Sequence, residues 1–428
     1  MEPTRPSVAV IGSGIAGLTA AYLLQRRYDV HLFEADDRLG GHAHTHDVPG
    51  AGAPVAVDSG FLVHNERTYP RLTRLFGELG IATTETDMSM SVSCASCGLE
   101  YAGALGPSGV FAQRRSAARP RFLRMLAEVA AFHRRARALL ANDADQRLTL
   151  GAFLARHRHT AYFADHFMVP LVSAVWSAGR ADVLRYPARF LFRFLDNHGM
   201  LAVGGSPRWR TVTGGSRTYV ERAAKELTSV RTSTPVRGLR RTGDGVLVRE
   251  ASDTVQRFDH AVVATHADQA LRLLEDPTAD ERAVLGTFGF SVNTAVLHTD
   301  ATLLPRERRA WASWNHVVPA CGPGAGARTR PVAISYHLNR LHRLGGAAGG
   351  REYIVTLGGT DRIAPDAVVA RMVYAHPIHT VETVAAQRRL PGLATARTVY
   401  AGAWQGWGFH EDGCASGVRA AEHLGVRW

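Results

Sequence analysis

Short apolar runs joined by a helical pattern open the chain. Residues 8–11 form an apolar run rich in β-branched side chains, which is typical of a buried parallel strand. Residues 18–24 follow with the spacing of a helix, and residues 30–33 form a second apolar run. This order of strand, helix and strand predicts an α/β fold with a parallel sheet.

A glycine-rich turn, residues 12–17, joins the first strand to the helix. Gly12 permits the tight turn, Gly14 lets the backbone approach a pyrophosphate, and Gly17 lets the helix pack close to the strand. The helix N-terminus directs free N–H groups at the phosphates. Glu34, which ends the second strand, is placed to accept hydrogen bonds from a ribose diol, and an acidic residue there argues against a 2′-phosphate. The pattern therefore predicts a dinucleotide site.

Later segments predict helices and a second sheet. Residues 70–80 and 120–141 have amphipathic helical spacing. The longer helix has an arginine-rich face that is either solvated or in contact with a membrane surface. Apolar and aromatic helices between residues 150 and 195 form either a cap over a substrate cavity or ordinary core. Residues 288–298 and 351–357 predict strands of the second sheet.

Composition limits the class of protein. The 428 residues favour two domains over a single core, and 46% hydrophobic and 21% charged residues are typical of a globular protein. No apolar run is long enough to span a membrane, and the first strand begins too early for a signal peptide, so we expect a cytoplasmic protein. The net charge of +12 could attract lipid headgroups, acyl carriers or nucleic acid. Because no nucleic-acid motif is present, we expect no nucleic-acid partner.

Two of the four cysteines, Cys94 and Cys97, form a CxxC motif. Zinc would usually need two more ligands at a matching spacing, and none is evident. A redox dithiol usually begins a helix, whereas residues 91–101 alternate and turn like a hairpin. We therefore expect incidental thiols at a turn and no metal site.

Two stretches resemble the superfamily of FAD-dependent amine oxidases and phytoene desaturases. Arg38, Gly40 and Gly41 match the fingerprint that continues the pyrophosphate site, and residues 402–417 match the motif that closes these chains. In that closing motif a helix opens at Glu411, and its N-terminus would face the flavin ring. The resemblance covers essentially the whole chain. It extends to a bacterial branch of predicted NAD/FAD-binding proteins, which is similar to the flavoprotein domain of plant cyclopropane fatty-acid synthases.

The resemblance implies FAD as the cofactor and an α/β fold. In that fold a Rossmann-like FAD-binding domain of the glutathione-reductase and amine-oxidase type carries an inserted substrate domain of mixed sheet and helices. Residues 1–90, 205–287 and 385–428 would form the FAD-binding domain, and residues 91–204 and 288–384 the substrate or cap domain. The FAD-binding residues implied are Gly12, Gly14, Ile15, Ala16, Gly17, Glu34, Ala35, Arg38, Gly40, Gly41, His42, Ser59, Gly60, Phe61, Val236, Ala264, Thr265, Gly402, Ala403, Glu411, Asp412 and Ser416.

The chain departs from the superfamily at two positions. Amine oxidases commonly hold a lysine near the flavin, and Thr294 occupies the matching position here. The superfamily often has Gly-Glu where this chain has Gly-Ala at 402–403, so the ribityl contact could move to Glu411 or Asp412.

The candidate catalytic residues are His410, Trp407 and Thr294. His410 is either a base, since imidazole titrates near neutral pH, or the source of a structural hydrogen bond.

The expected function is FAD-dependent oxidoreduction, as an oxidase, dehydrogenase or desaturase. Hydride would pass to flavin from an organic substrate such as an acyl lipid or an amine. One alternative is a flavin-dependent double-bond isomerase without net redox change. Another is a non-catalytic, FAD-bound partner of a lipid-modifying enzyme. Peripheral membrane contact is compatible with the basic surface, and the sequence does not fix the oligomeric state.

Overall fold

The computed structural model describes residues 5–142, 146–202, 204–322 and 333–428. The strands are β1 (Ser7–Ile11), β2 (Asp29–Phe33), β3 (Thr45–Val48), β4 (Val55–Asp58), β5 (His64–Asn65), β6 (Thr83–Thr86), β7 (Met90–Cys94), β8 (Glu100–Ala102), β9 (Trp209–Val212), β10 (Ser229–Arg231), β11 (Val236–Arg241), β12 (Val246–Glu250), β13 (Val255–Phe258), β14 (His260–Val263), β15 (Gly289–His298), β16 (Trp314–Val318), β17 (Ala333–His337), β18 (Ile354–Leu357), β19 (Val368–Ile378) and β20 (Thr398–Tyr400). The helices are α1 (Ile15–Leu24), α2 (Pro70–Glu78), α3 (Gly106–Val110), α4 (Pro120–Ala141), α5 (Leu150–Arg156), α6 (Ala161–Phe163), α7 (Val169–Trp176), α8 (Arg180–Arg185), α9 (Ala188–Asn197), α10 (Arg217–Ala224), α11 (Ala267–Leu273), α12 (Ala279–Leu285), α13 (Leu338–Leu341), α14 (Val381–Gln387) and α15 (His410–His423).

A five-stranded parallel sheet carries the N-terminal and C-terminal motifs. Its strand order is β10-β2-β1-β14-β20. The apolar runs occupy its centre because their side chains are buried on both faces of the sheet: Val8, Ala9 and Val10 are fully buried. Helices α1 and α15 pack against each other beside it. The predicted α/β fold with a parallel sheet is confirmed.

A seven-stranded mixed sheet forms the second layer, in the order β19-β15-β18-β17-β16-β7-β8. Its pairs are antiparallel except β16 with β7. The antiparallel pair β15 and β19 is long, with Gly289 paired to Ile378 at one end and His298 to Val368 at the other. This sheet and the helices described next match the expected mixed-sheet and helical substrate layer, while the predicted domain boundaries stay a prediction.

Helices α4 to α9 form a layer with an aromatic core of its own. Phe122, Phe132, Phe153, Phe163 and Phe192 are fully buried in it. Burial of such side chains contributes about 2 kcal/mol each, which accounts for the apolar periodicity of these segments. The arginine-rich face of α4 lies on its solvent side. No helix in the described ranges is both long and apolar enough to cross a membrane.

Candidate active site

A cavity of about 770 Å³ lies where the parallel sheet meets the second sheet and the helical layer. It begins at the carboxyl ends of β1, β2, β14 and β20, through residues 11–16, 33–36, 264–265 and 402–404. Ligands of open α/β sheets bind at this edge, because the loops there diverge and leave a crevice. The cavity continues past α7 and α9 to β16 and β17.

The glycine-rich turn forms one wall of the cavity. A Cβ added to Gly14 would meet nothing within 4 Å, so the space in front of this backbone is open. A Cβ at Gly17 would lie 1.9 Å from the carbonyl oxygen of Gly12, and Gly17 does not line the cavity. The two glycines therefore differ as the fingerprint requires: one faces a ligand and the other permits packing.

Polar side chains that could contact a bound cofactor lie beside this turn. The Glu34 carboxylate lines the cavity and accepts hydrogen bonds from the backbone N–H groups of Ser13 at 2.9 Å and Asp36 at 3.0 Å. Arg38 donates to the carbonyl of Gly41 at 2.8 Å, which leaves a guanidinium charge at the wall. The buried Nε2 of His42 has no partner in the described structure, and burial lowers its pKa well below the usual value. A bound group would satisfy this atom.

Most of the predicted cofactor-binding residues line the cavity together with His410. They are Gly12, Gly14, Ile15, Ala16, Glu34, Ala35, Arg38, Gly40, Gly41, His42, Ser59, Gly60, Phe61, Val236, Ala264, Thr265, Gly402 and Ala403.

Glu411, Asp412 and Ser416 do not line the cavity. The Glu411 carboxylate accepts the N–H groups of Arg71 at 3.1 Å and Leu72 at 3.0 Å, and so caps α2. Asp412 accepts the N–H of Phe409 at 3.0 Å, which caps its own helix, and burial raises its pKa to about 6. Both carboxylates cap helix N-termini outside the cavity wall, and a ribityl contact to either of them stays a prediction.

Ser416 supports the cavity from behind. Its hydroxyl accepts the N–H of Gly402 at 2.8 Å and donates to the carbonyl of Gly413 at 2.7 Å. It therefore fixes the turn of Gly402, which does line the cavity.

Thr294 and Trp407 are also absent from the cavity wall. Thr294 is exposed on β15, on the same strand face as the cavity-lining Val292 and paired with the cavity-lining Val373, but does not itself line the cavity. The Trp407 carbonyl accepts from the ring N–H groups of Trp176 at 2.9 Å and His379 at 3.0 Å. Trp407 therefore holds the helical layer to the loop before α15, and catalytic roles for Thr294 and Trp407 stay predictions.

His410 begins α15 and does line the cavity. Its ring stacks on Phe61 with centroids 3.7 Å apart, and its Nε2 lies 3.1 Å from the hydroxyl of Tyr219. Burial, with a smaller contribution from His64, lowers the pKa of His410 to about 3. The ring is therefore neutral at physiological pH, and the geometry favours a structural hydrogen bond over a base.

The far wall of the cavity includes the predicted cap helices, through Trp176 and Phe194, whereas sequence reasoning did not assign Trp209 or Tyr374 to it. It is lined by large side chains from separate elements: Trp176, Phe194, Trp209, Trp314, Tyr336 and Tyr374. No local pattern distinguishes these from ordinary core, since they meet only when both sheets and the helical layer assemble.

The family model of the flavin-containing amine oxidoreductases matches residues 15–327, well over half of the chain. The chain belongs to this family. The predicted superfamily is thereby confirmed, and FAD is the cofactor. The open backbone at Gly14, the charge of Arg38 and the unpartnered Nε2 of His42 fit this group.

Similar proteins include the tryptophan 2-monooxygenase of Allorhizobium ampelinum, 53% identical over 51 residues. That stretch is 11% of this chain and 7% of that protein, so the chain matches only a small part of this relative. A fatty acid isomerase from P. acnes has a TM-score of 0.70 at 16% identity, over 98% of this chain and 99% of that one. Cyclohexylamine oxidase from Brevibacterium oxydans IH-35A has a TM-score of 0.68 at 14% identity, with the same coverage. These structures share the fold.

Proposed function

We propose that the protein is an FAD-dependent oxidoreductase that removes hydride from an uncharged, largely apolar substrate of the acyl-lipid class. FAD held in this cavity would supply the hydride-accepting chemistry. The chain itself binds and orients the substrate and excludes water. The observation that carries the proposal is the composition of the cavity wall.

The described wall offers no carboxylate to a cationic substrate at its far end. Its acidic residues are Glu34 and Asp36, and both belong to the end formed by β2. An amine that enters as a cation pays several kcal/mol of desolvation, whereas a contact with the face of an aromatic ring returns about 2 kcal/mol. An uncharged chain avoids this cost, and its burial contributes about 0.8 kcal/mol per CH₂ group.

Two further features support an acyl substrate. The side chains of Val292 and Val373 are 72% and 68% exposed, and both line the cavity, so its mouth is apolar. The indole Nε1 of Trp314 is buried without a partner among the described residues. Since Trp314 lines the cavity, a substrate carbonyl oxygen could accept this hydrogen bond.

The proposal can be tested by a substitution that places a larger side chain in the cavity. Val175 lines it, whereas Leu171, one turn earlier on α7, does not. We expect Val175→Trp to slow anaerobic flavin reduction by a long-chain acyl ester about tenfold or more, because overpacking costs about 1–3 kcal/mol. In the Leu171→Trp variant the ester should reduce the flavin at nearly the wild-type rate, with FAD content matched in both variants.

Two results would overturn the proposal. One is equal rates in both variants. The other is flavin reduction by alkylamines such as cyclohexylamine and never by acyl esters. Conversion of the ester to a product of equal mass would instead favour the isomerase alternative.

A further inference from the structure

Two further potential metal ligands lie beside the cysteines of the CxxC motif. Cys94, Cys97, His166 and Cys321, here called the thiol cluster, place one ligand atom each within 4.8 Å of all the others. His166 and Cys321 lie far along the chain, so the sequence could not show that they meet this motif. The expectation that no further ligands accompany this motif is therefore wrong, whereas the expectation of no bound metal stays a prediction.

We propose that the thiol cluster binds a zinc ion through three thiolates and one imidazole. Three Zn–S bonds and one Zn–N bond would form, and the three thiol protons would pass to solvent. Zinc favours such tetrahedral sulfur and nitrogen sets, with ligand atoms about 3.5–3.8 Å apart at normal bond lengths. Cys97 Sγ and His166 Nε2 already lie 3.5 Å apart.

The turn that carries Cys94 and Cys97 has the form of a metal-binding knuckle. It joins β7 to β8, and the N–H of Gly98 donates to the carbonyl of Cys94 at 2.9 Å. Gly98 follows the second cysteine with φ of +64°, a left-handed conformation that favours glycine and turns the chain back. Both thiols consequently project from one side of a tight loop.

His166 is oriented for a metal. Its Nδ1 donates to the carbonyl of Tyr162 at 3.0 Å, which leaves Nε2 as the free lone pair facing Cys97. The residue is fully buried in a π-helical turn, Ala164–Met168, between α6 and α7. Such turns interrupt a helix at a cost and occur frequently at functional sites.

The fourth ligand comes from the loop after β16. The backbone N–H of Cys321 donates to the Ser96 hydroxyl at 3.0 Å, and this hydroxyl lies 3.2 Å from Cys321 Sγ. Ser96 therefore holds the loop against the knuckle.

The surrounding charge suits the site. A zinc ion with three thiolates carries one net negative charge. Arg115 and Arg119 donate to the carbonyls of Gly98 and Cys97 at 3.4 and 3.5 Å, which places two positive charges beside it.

The site is structural and distinct from the cavity. All four ligands come from protein, which closes the coordination sphere to substrate, and none of them lines the cavity. The ion would join the β7–β8 hairpin, the π-helical turn before α7 and the loop after β16. Since α7 carries Ala174 and Trp176 in the cavity wall, the ion would fix one side of the active site.

The test is the metal content of the full-length holoprotein, purified without chelators. We expect about one zinc per chain, and a tenfold or greater loss in Cys97→Ser and in His166→Gln. Cys414→Ala is the matched control, since this buried cysteine lies on α15 outside the cluster and should leave the zinc content unchanged.

A measurement on the wild-type protein covers variants that fail to fold. An organomercurial thiol reagent should release about one zinc ion per folded chain to a chromogenic chelator. A wild-type protein without zinc after incubation with excess zinc and desalting would overturn the proposal. So would bound iron in place of zinc, or a disulfide between Cys94 and Cys97.

Discussion

The neutral state of His410 leads to the most informative single substitution, His410→Gln. With a pKa of about 3, protonation of this ring at about pH 7 costs about 5 kcal/mol, against under about 1 kcal/mol for an ordinary imidazole. A general base must carry that proton during the reaction, so His410 would be the poorer base by several orders of magnitude. We therefore expect the rate of flavin reduction by substrate in His410→Gln to lie within about tenfold of the wild-type rate. Loss of a general base would lower this rate about 10²–10⁴-fold.

The assay is anaerobic stopped-flow reduction of bound flavin at matched FAD content. Tyr219→Phe is the control, because it removes the hydroxyl that bonds His410 and retains the imidazole. Wild type and His410→Gln should show the same rate–pH profile. A hundredfold or greater loss in His410→Gln, rescued by added imidazole while Tyr219→Phe stays active, would refute the reasoning.

Three further substitutions test the structural assignments. Glu411→Ala should lower the free energy of unfolding, measured by urea titration, by about 1–2 kcal/mol through loss of the α2 cap, while FAD remains bound. The control is Glu422→Ala, at an exposed position on the same helix as Glu411. Loss of FAD at unchanged stability would contradict the role of Glu411 as a helix cap. Burial lowers the pKa of His316 to about 3, so its stabilising contribution is complete above its unfolded pKa and falls as the pH drops through that value. Between about pH 7 and about pH 5, the free energy of unfolding of His316→Phe should therefore fall by about 2 kcal/mol less than that of wild type. The control Val317→Ala removes no titrating group, so its free energy of unfolding should fall as much as that of wild type. An equal fall in His316→Phe and wild type would contradict this expectation. Thr294→Val should leave the rate of flavin reduction unchanged, since Thr294 lies outside the cavity.

The local part of the site could be predicted because its chemistry is written in consecutive residues. The turn at Gly12 to Gly17 and the acidic end of β2 follow from steric demands within one βαβ unit. The parallel sheet follows equally from short apolar runs between helices. Such inferences need no knowledge of distant contacts.

The sequence was least informative where a side chain can make one of two kinds of contact. Thr294 shares a strand face with Val292 and pairs with Val373, both of which line the cavity, yet Thr294 itself does not. Glu411 and Asp412 lie at a helix start, where they cap backbone N–H groups. Sequence alone does not rank a capping contact above a cofactor contact.

Contacts between remote segments were beyond reach of the sequence. Cys97 meets His166 only because the helical layer packs on the end of the second sheet. Trp176 and Trp314 reach one cavity wall from that layer and from β16. Neither of these long-range contacts can be predicted from the spacing of residues along the chain.

We propose that the protein binds FAD in the cavity and oxidises an apolar acyl substrate there. The most direct test of this proposal is the visible spectrum of the purified protein during anaerobic titration with a long-chain acyl ester, with mass analysis of the product. We expect bleaching of the flavin and a product that lacks one pair of hydrogen atoms. A flavin that no acyl ester bleaches but that short alkylamines bleach would contradict the proposed substrate class.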